Sequence, residues 1–169
     1  MSDNMKIQLH DEVQDKVQKN TQKKITSQEQ TFLVSDDKGS LQLNVIHGYL
    51  TCCYWSKGIS RELVATAISN SMCFGLYLND RQIGFARVIT DKAAFAYLAD
   101  VFVLPEYGNR GLGTALIDFI MQHSDLQGLR RFMLCTLDAH ELYKKFTFTA
   151  VDNPQSMIQI NKPGLYLTQ

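Results

Sequence analysis

The segment Val101–Leu116, VFVLPEYGNRGLGTAL, constrains the fold more than any other part of the chain. It predicts a hydrophobic strand, then a glycine-rich turn, then the start of an amphipathic helix. The first turn of a helix leaves backbone N–H groups unpaired and carries the positive end of the helix dipole, so it attracts anions. Glycines let the backbone approach such an anion closely because they lack a Cβ. The segment therefore predicts a phosphate or pyrophosphate site between a strand and a helix.

The turn does not follow the two common nucleotide-binding motifs. A Walker loop ends in Gly-Lys-Ser/Thr, whereas Thr114 and Ala115 follow the last glycine here. A dinucleotide-binding turn has a third glycine at the position of Leu116, so only Gly111 and Gly113 fit that pattern. The turn alone does not identify the phosphate ligand, and the rest of the chain is needed.

Length and charge narrow the class of protein. The 169 residues suit one domain, and 45% of them are hydrophobic, as in soluble globular proteins. Lysine plus arginine and aspartate plus glutamate number 17 each, which argues against nucleic acid or an anionic membrane as a partner. The sequence has no apolar run of membrane-spanning length and no signal-peptide pattern, so we expect a cytoplasmic protein.

The cysteine pattern predicts neither a metal site nor disulfides. Cys52, Cys53, Cys73 and Cys135 show no zinc-ligand spacing and no plausible disulfide framework. We expect reduced, mostly buried thiols, no catalytic thiol and no metal.

Hydrophobic patterning divides the chain into a polar start and one domain. Residues 1–30 are rich in Gln, Lys, Asp and Ser, which predicts a tail or a loosely docked helix, and residues 31–169 form the expected domain. We predict strands at 31–35, 73–78, 82–90, 95–104, 131–136, 146–151 and 157–160. We predict helices at 41–54, after a cap at Ser60, from Leu112 and from Ala139. This order indicates an α/β fold with a mixed sheet flanked by helices and one βαβ unit over residues 95–136.

A second motif accompanies the glycine turn. Ala139-His140-Glu141-Leu142-Tyr143-Lys144-Lys145-Phe146-Thr147-Phe148 is similar to the Ala-x-x-Leu-Tyr-x-Lys-x-Gly-Phe pattern of one enzyme family. The turn itself looks like the Arg/Gln-x-x-Gly-x-Gly/Ala pattern of the same family. Over residues 31–160 the chain resembles the GNAT family of acetyl-coenzyme A-dependent N-acetyltransferases. The resemblance implies the GNAT fold, a central, mostly antiparallel, twisted sheet with about four flanking helices.

The resemblance also implies where acetyl-CoA would bind. The pantetheine would pair with the extended backbone of the strand residues Val101, Phe102 and Val103. The pyrophosphate would bind the backbone of the turn, comprising Gly108, Asn109, Arg110, Gly111, Leu112, Gly113 and Thr114. Thr136 stands where many members place an Asn that contacts the cofactor. Gly108, Thr136 and Thr147 depart from the family pattern, which allows a weaker or altered cofactor pocket.

Tyr143 is the expected general acid. When an amine attacks a thioester, the leaving group is a thiolate, and a tyrosine hydroxyl within reach can protonate it or stabilise its charge. The reference pKa is about 8.5 for a thiol and about 10 for tyrosine, so this transfer is only mildly uphill. Helical periodicity alone favours a packing role beside Leu142 and Phe146, and the motif match favours the catalytic one.

Asp100 has two interpretations. An acidic residue in so apolar a strand needs a partner. A hairpin turn centred on residues 91–94 would place Arg87 opposite Leu98 and Phe85 opposite Asp100, so that Arg87 and Asp100 share a face. Asp100 then either forms a structural ion pair with Arg87 or binds the acceptor ammonium and helps to remove its proton. A register shift of one residue breaks this predicted pairing.

We expect this chain to move an acetyl group from acetyl-CoA to a primary amine by direct attack. The alternative is a non-catalytic or weakly catalytic acyl-CoA-binding sensor or interaction module of the same fold.

Asp138 and His140 stand at the start of the last helix. The simpler roles are a helix cap for Asp138 and a solvated side chain for His140. Tyr54 and Trp55 would wall an acceptor pocket or pack at its rim. The acceptor is a small amine whose identity the sequence leaves open, and a homodimer is left open too.

Overall fold

The computed structural model describes residues 21–167. One sheet has six strands in the order β1-β2-β3-β4-β5-β6. All neighbours are antiparallel except β5 and β6, which are parallel. The strands are β1 Gln22–Ser27, β2 Gln30–Ser35, β3 Met72–Leu78, β4 Arg81–Thr90, β5 Phe95–Val103 and β6 Arg131–Leu134. The predicted mixed, mostly antiparallel sheet is confirmed.

Four α-helices cover the two faces of the sheet. They are α1 Leu43–Leu50, α2 Arg61–Ser69, α3 Leu112–Met121 and α4 His140–Lys144. Helices α1 and α2 share a buried cluster with Phe85, and α3 and α4 share another with its neighbour Ala86. Successive residues of a strand point to opposite faces, so the two helix pairs lie on opposite sides of the sheet. The predicted cap is confirmed, since the Ser60 hydroxyl accepts a hydrogen bond from the amide of Leu63 at 3.3 Å.

Strand β1 was not expected. The prediction of a tail or loosely docked helix is wrong for residues 22–27, and residues 1–20 lie outside the described residues. Ile25 is the one apolar side chain of β1 and packs against the core, so the hydrophobic pattern was too weak to reveal an edge strand. Gln28 and Glu29 make the connecting turn with φ of 47° and 62°, and neither is a residue typical of such turns.

The final two predicted strands are also wrong. Residues 146–151 and 157–160 belong to no strand, and the chain there is largely irregular. The β-branched side chains of Ile158 and Ile160 favoured a strand in the sequence. In the structure they are 96% and 93% exposed, and no described strand pairs with this segment. The first helix is also shorter than predicted, because it ends at Leu50 instead of residue 54.

A bulge in β5 shapes the centre of the sheet. Arg87 pairs with Ala99 and Phe85 pairs with Phe102, so the predicted register was wrong by one residue at Arg87 and by two at Phe85. Asp100 and Val101 together stand opposite Ala86, and Asp100 has a φ of 54°. A bulge of two residues against one turns the strand locally and re-aims a side chain. The bulge thus brings Asp100 to the face of the sheet that carries Arg87.

Candidate active site

The sheet opens between β5 and β6. The two strands pair from Phe95 with Arg131 to Leu98 with Leu134, and the pairing stops there. Strand β5 continues to Val103, while the chain after Leu134 leaves the sheet and enters α4. A cavity of about 1100 Å³ fills the opening. The structure brings most of the predicted site residues to its lining: Val101, Phe102, Val103, Gly108, Asn109, Gly111, Leu112, Gly113, Thr114, Thr136, Asp100 and Tyr143.

The second half of β5 presents its backbone to this cavity. Val101 and Val103 pack against the core on the α3 side, and Phe102 is buried on the α1 side. The Phe102 ring stacks on Tyr49 with ring centroids 3.9 Å apart. These side chains are committed to packing, so what the strand offers a ligand is its unpaired backbone edge. That is what an extended chain with amide groups requires.

The glycine turn leads directly into α3. Asn109 and Gly111 have φ of 58° and 72°, and Gly111 is the N-cap residue. From Asn109 to Thr114, no backbone amide donates to an acceptor within residues 21–167. The amide of Gly108 donates to the carbonyl of Pro105 at 3.0 Å, so the prediction that it is available to an anion is wrong. The first turn of α3 still carries the unpaired donors of an anion site.

The two glycines of the turn have different backbone requirements. Gly111 has a left-handed backbone conformation, which residues with a side chain rarely adopt, so this position favours glycine. Gly113 has an ordinary helical backbone, and a Cβ added there would meet nothing within 4 Å. No neighbour in the described structure therefore requires glycine at 113, and the open space above it faces the cavity.

The β1–β2 hairpin supports this turn. The Ser27 hydroxyl donates to the carbonyl of Arg110 at 2.9 Å, and the Arg110 guanidinium donates to the Gln30 side chain at 2.8 Å. Arg110 also lies over the Tyr107 ring, with 5.5 Å from Cζ to the ring centroid. Arg110 is the one predicted site residue outside the cavity lining, and its side chain braces the turn instead. Sequence reasoning missed Ser27 and Gln30, because about 80 residues separate them from Arg110 and no local motif marks them.

Tyr143 lies where α4 meets the cavity. It is 8% exposed and packs in the α3-side core, with its ring edge-to-face against Phe148 at 5.9 Å. Burial raises the pKa of Tyr143 to about 12, and the nearby Asp138 carboxylate and Tyr54 add to the effect. The phenol is therefore neutral at physiological pH and is a hydrogen-bond donor facing the cavity. The packing role of Tyr143 is confirmed, and its role as general acid stays a prediction.

Asp100 and Arg87 form the ion pair that the sequence suggested. The Arg87 Nε lies 2.6 Å from Asp100 Oδ2, and Arg87 also donates to the Ser71 hydroxyl at 3.1 Å. The side chains of Arg87 and Asp100 are 15% and 14% exposed. Both line the cavity on the α1 side. The register differs from the predicted one, and the bulge is what makes the pair form.

The start of α4 differs from the expected cap. The N-cap residue is Ala139, whose amide donates to the Thr136 hydroxyl at 3.0 Å, and no side chain caps the helix itself. The capping role assigned to Asp138 is therefore wrong, and Asp138 lies exposed in the cavity lining. Tyr54 and Trp55 line the same cavity and contact each other edge-to-face at 4.9 Å.

Burial disfavours the thiolate form of two cysteines, the partly buried Cys53 and the buried Cys73. Burial raises the pKa of Cys53 and of Cys73 to about 11. Cys52 and Cys135 are exposed, so the expectation of mostly buried thiols is wrong for these two. Within residues 21–167, no group of three or more His, Cys, Asp or Glu side chains is arranged to hold a metal ion. In the same range no helix is both long and apolar enough to cross a membrane.

Comparisons with known proteins agree with this geometry. The model of the acetyltransferase (GNAT) family matches residues 45–148. A candidate acetyltransferase of Gibberella zeae is 33% identical over 137 residues, which is 68% of this chain and 76% of that protein. The chain belongs to the GNAT family of acetyltransferases.

Solved structures show the same fold. A candidate GNAT acetyltransferase from Xanthomonas campestris pv. campestris is 51% identical, with a TM-score of 0.78 over 80% of this chain and 96% of its own. A candidate acetyltransferase from Clostridium acetobutylicum, solved with acetyl-CoA, is 13% identical with a TM-score of 0.55, covering 85% of this chain and 96% of its own. The second likeness is one of fold alone.

Proposed function

We propose that this protein transfers the acetyl group of acetyl-CoA to a primary amine by direct attack, with Tyr143 as the general acid. The observation that carries the proposal is the run of unpaired amides from Asn109 to Thr114 at the end of an opening between two parallel strands. A diphosphate is the anion that such a run accommodates, and hydrogen bonds to charged acceptors contribute about 1.5–3 kcal/mol each.

The residues present fit acetyl-CoA. The amides of Asn109, Arg110, Gly111, Leu112, Gly113 and Thr114 would hold its diphosphate, and the open space above Gly113 leaves room for it. The backbone of Val101, Phe102 and Val103 would pair with the pantetheine amides, and Thr136 lies on the facing side of the cavity. When bound, acetyl-CoA supplies an activated acetyl thioester.

Tyr143 has the protonation state that this chemistry needs. A neutral amine forms a bond to the thioester carbonyl carbon, the C–S bond breaks, and the electron pair leaves on sulfur. The sulfur takes a proton from Tyr143, the amine nitrogen loses its extra proton to water, and the phenol regains a proton from water, which gives an amide and a free thiol. Because the pKa of Tyr143, about 12, lies well above the thiol value of about 8.5, the phenol acts first as a hydrogen-bond donor to the developing thiolate.

Asp100 is the predicted acidic partner of the amine. One of its carboxylate oxygens, Oδ2, is held by Arg87 at 2.6 Å. Its other oxygen accepts no hydrogen bond within the part of the chain that the structure describes. Asp100 can therefore orient an acceptor through that oxygen, although Arg87 compensates its charge.

Calorimetry with CoA and a thiol-release assay test the proposal together. We expect a single binding heat on titrating CoA, and release of free thiol when acetyl-CoA is mixed with a panel of small amines. Binding without thiol release across a broad panel would favour the alternative, an acyl-CoA-binding sensor or interaction module. No binding heat at all would contradict both.

We also propose that the protein is cytoplasmic and assembles as a homodimer. The exposure of Ile158 and Ile160, 96% and 93%, supports the assembly, because a dimer interface would remove these apolar side chains from water. Light scattering after gel filtration would distinguish a dimer from a monomer of 19.2 kDa.

A further inference from the structure

The carboxylate of Asp138 is the starting point of this inference. It is exposed, it lines the cavity, and within residues 21–167 it has no hydrogen-bond or ion-pair partner. Helix α4 does not use it, because the Thr136 hydroxyl takes the amide of Ala139. A carboxylate without a structural role in a cavity is available to a ligand cation.

Asp138 lines a cavity that residues from both faces of the sheet share. Tyr49 belongs to the α1 side and Tyr143 to the α3 side, and the cavity joins them. Asp138 stands just before α4, the helix that carries Tyr143. Its carboxylate therefore shares the cavity with the proposed general acid and with the stacked Tyr49 ring.

The charges in the cavity favour Asp138 over Asp100 for binding an ammonium group. Arg87 neutralises Asp100 at 2.6 Å and is the one cationic side chain among the described lining residues. Asp138 then carries the uncompensated negative charge. No lining cation remains to hold an acceptor's phosphate or carboxylate, which disfavours amino acids and phosphosugars.

The cavity that Asp138 lines also has aromatic and apolar residues in its wall. Tyr54 and Trp55 are 57% and 41% exposed, so their rings are accessible to a ligand in this cavity. Ile59 and Leu63 continue the lining on the same side. Aromatic rings next to one carboxylate suit a monoamine, whose cation binds the acid while its apolar body contacts the rings.

We propose that Asp138 binds the ammonium group of the acceptor and that the acceptor is a monoamine carried on an aromatic or other apolar body. This inference rests on the proposed acetyl transfer and names its substrate class. Asp138 is a substrate-binding residue in this view, and Asp100 supports the site through its ion pair with Arg87.

The test compares amines and an alcohol in the full-length protein. The probe is 2-phenylethylamine with acetyl-CoA, read as thiol release, and 2-phenylethanol serves as an uncharged competitor of the same shape. We expect D138N to raise the KM for 2-phenylethylamine about tenfold or more, with the KM for acetyl-CoA within twofold of wild type and inhibition by 2-phenylethanol unchanged. D138E should recover most of the loss, because it restores the charge.

The matched control is D152N, which removes an exposed carboxylate outside the cavity lining and should leave both KM values unchanged. Equal KM values for wild type and D138N would overturn the inference, as would acetylation of other amines but not of 2-phenylethylamine. Thiol release with no amine in the panel, despite CoA binding, would instead overturn the proposed function itself.

Discussion

Tyr143 carries the chemistry of the proposed reaction. Y143F removes the donor and keeps the ring that packs against Phe148. We expect kcat to fall about 10²–10⁴-fold while the dissociation constant of CoA stays unchanged, because only the transition state uses the hydroxyl. Steady-state kinetics and calorimetry check this, and an unchanged kcat would remove Tyr143 from the role.

The pKa of Tyr143 sets the pH range of that experiment. A pKa of about 12 in the folded state exceeds the unfolded value of 10.0, so the neutral phenol is favoured by folding. Its stabilising contribution is fully present below about pH 10 and is lost as the pH rises through about 12. We therefore expect no loss of kcat from Tyr143 ionisation between pH 7 and 9.5, and a sharp decline in that range in wild type but not in Y143F would contradict the assignment.

Thr147 is strained by the way α4 ends. Its φ is 65°, and the amides of Thr147 and Phe148 donate to the carbonyls of Lys144 and Tyr143, which is a Schellman motif. A β-branched residue is unfavourable in that conformation, and the sequence motif has glycine there. We expect T147G to raise the free energy of unfolding by about 1 kcal/mol, the left-handed penalty less the entropy cost of glycine, and Tm by about 2–4 °C. T149G, at an exposed position without positive φ, should not stabilise.

Single residues were predictable to unequal degrees. Local motifs mark Tyr143 and the glycines, and the structure places them in the cavity lining, while their functional roles stay predictions. The Arg87–Asp100 pair forms although the predicted register was wrong, because the bulge turns Asp100 back to the face that carries Arg87. Asp138 was assigned to a cap, because the sequence does not reveal that the Thr136 hydroxyl already occupies the amide of Ala139.

A substitution in the first turn of α3 can distinguish an effect on helix stability from an effect on ligand binding. Gly113 lowers helix propensity, and no described neighbour needs its missing Cβ, so the proposed diphosphate site is the reason we expect for this glycine. We expect G113A to raise the free energy of unfolding by about 0.5 kcal/mol and to weaken CoA binding tenfold or more, because the new methyl group enters the diphosphate space. Chemical denaturation and calorimetry measure the two effects.

Gly48 provides the matched control for this element. It lies inside α1, a Cβ there also meets nothing within 4 Å, and it is not part of the cavity lining. G48A should stabilise the fold by about 0.5–1 kcal/mol without changing CoA affinity. If G113A and G48A behaved alike in both measurements, the diphosphate site would not be at α3.

Elements with strong periodicity were predicted well, and edge elements were not. The helix from Leu112 has a repeating apolar stripe, and α3 follows it. Strand β1 has one apolar residue, Ile25, and its partner strand and the contact of Ser27 with Arg110 are set by tertiary structure. Residues 157–160 show the opposite error: their residue types favour a strand, but no described strand pairs with them. The hydrophobic pattern therefore identifies the residues that face the core, but it does not show which strand edges pair with each other.

The cavity spans the molecule, so its ligand should stabilise the whole fold. The lining joins α1, β5 with the turn that follows it, and α4, which lie in three separate parts of the sequence. A ligand that binds only the folded state at 100 times its dissociation constant adds about 2.7 kcal/mol, which for a domain of this size raises Tm by about 5–10 °C. On the proposal that the turn amides bind the diphosphate, dephospho-CoA should give a similar shift at the same ligand concentration, and pantetheine, which lacks the diphosphate, a much smaller one. Thermal denaturation at one common ligand concentration measures this, and equal shifts for pantetheine and CoA would show that the amides from Asn109 to Thr114 are not the anchor.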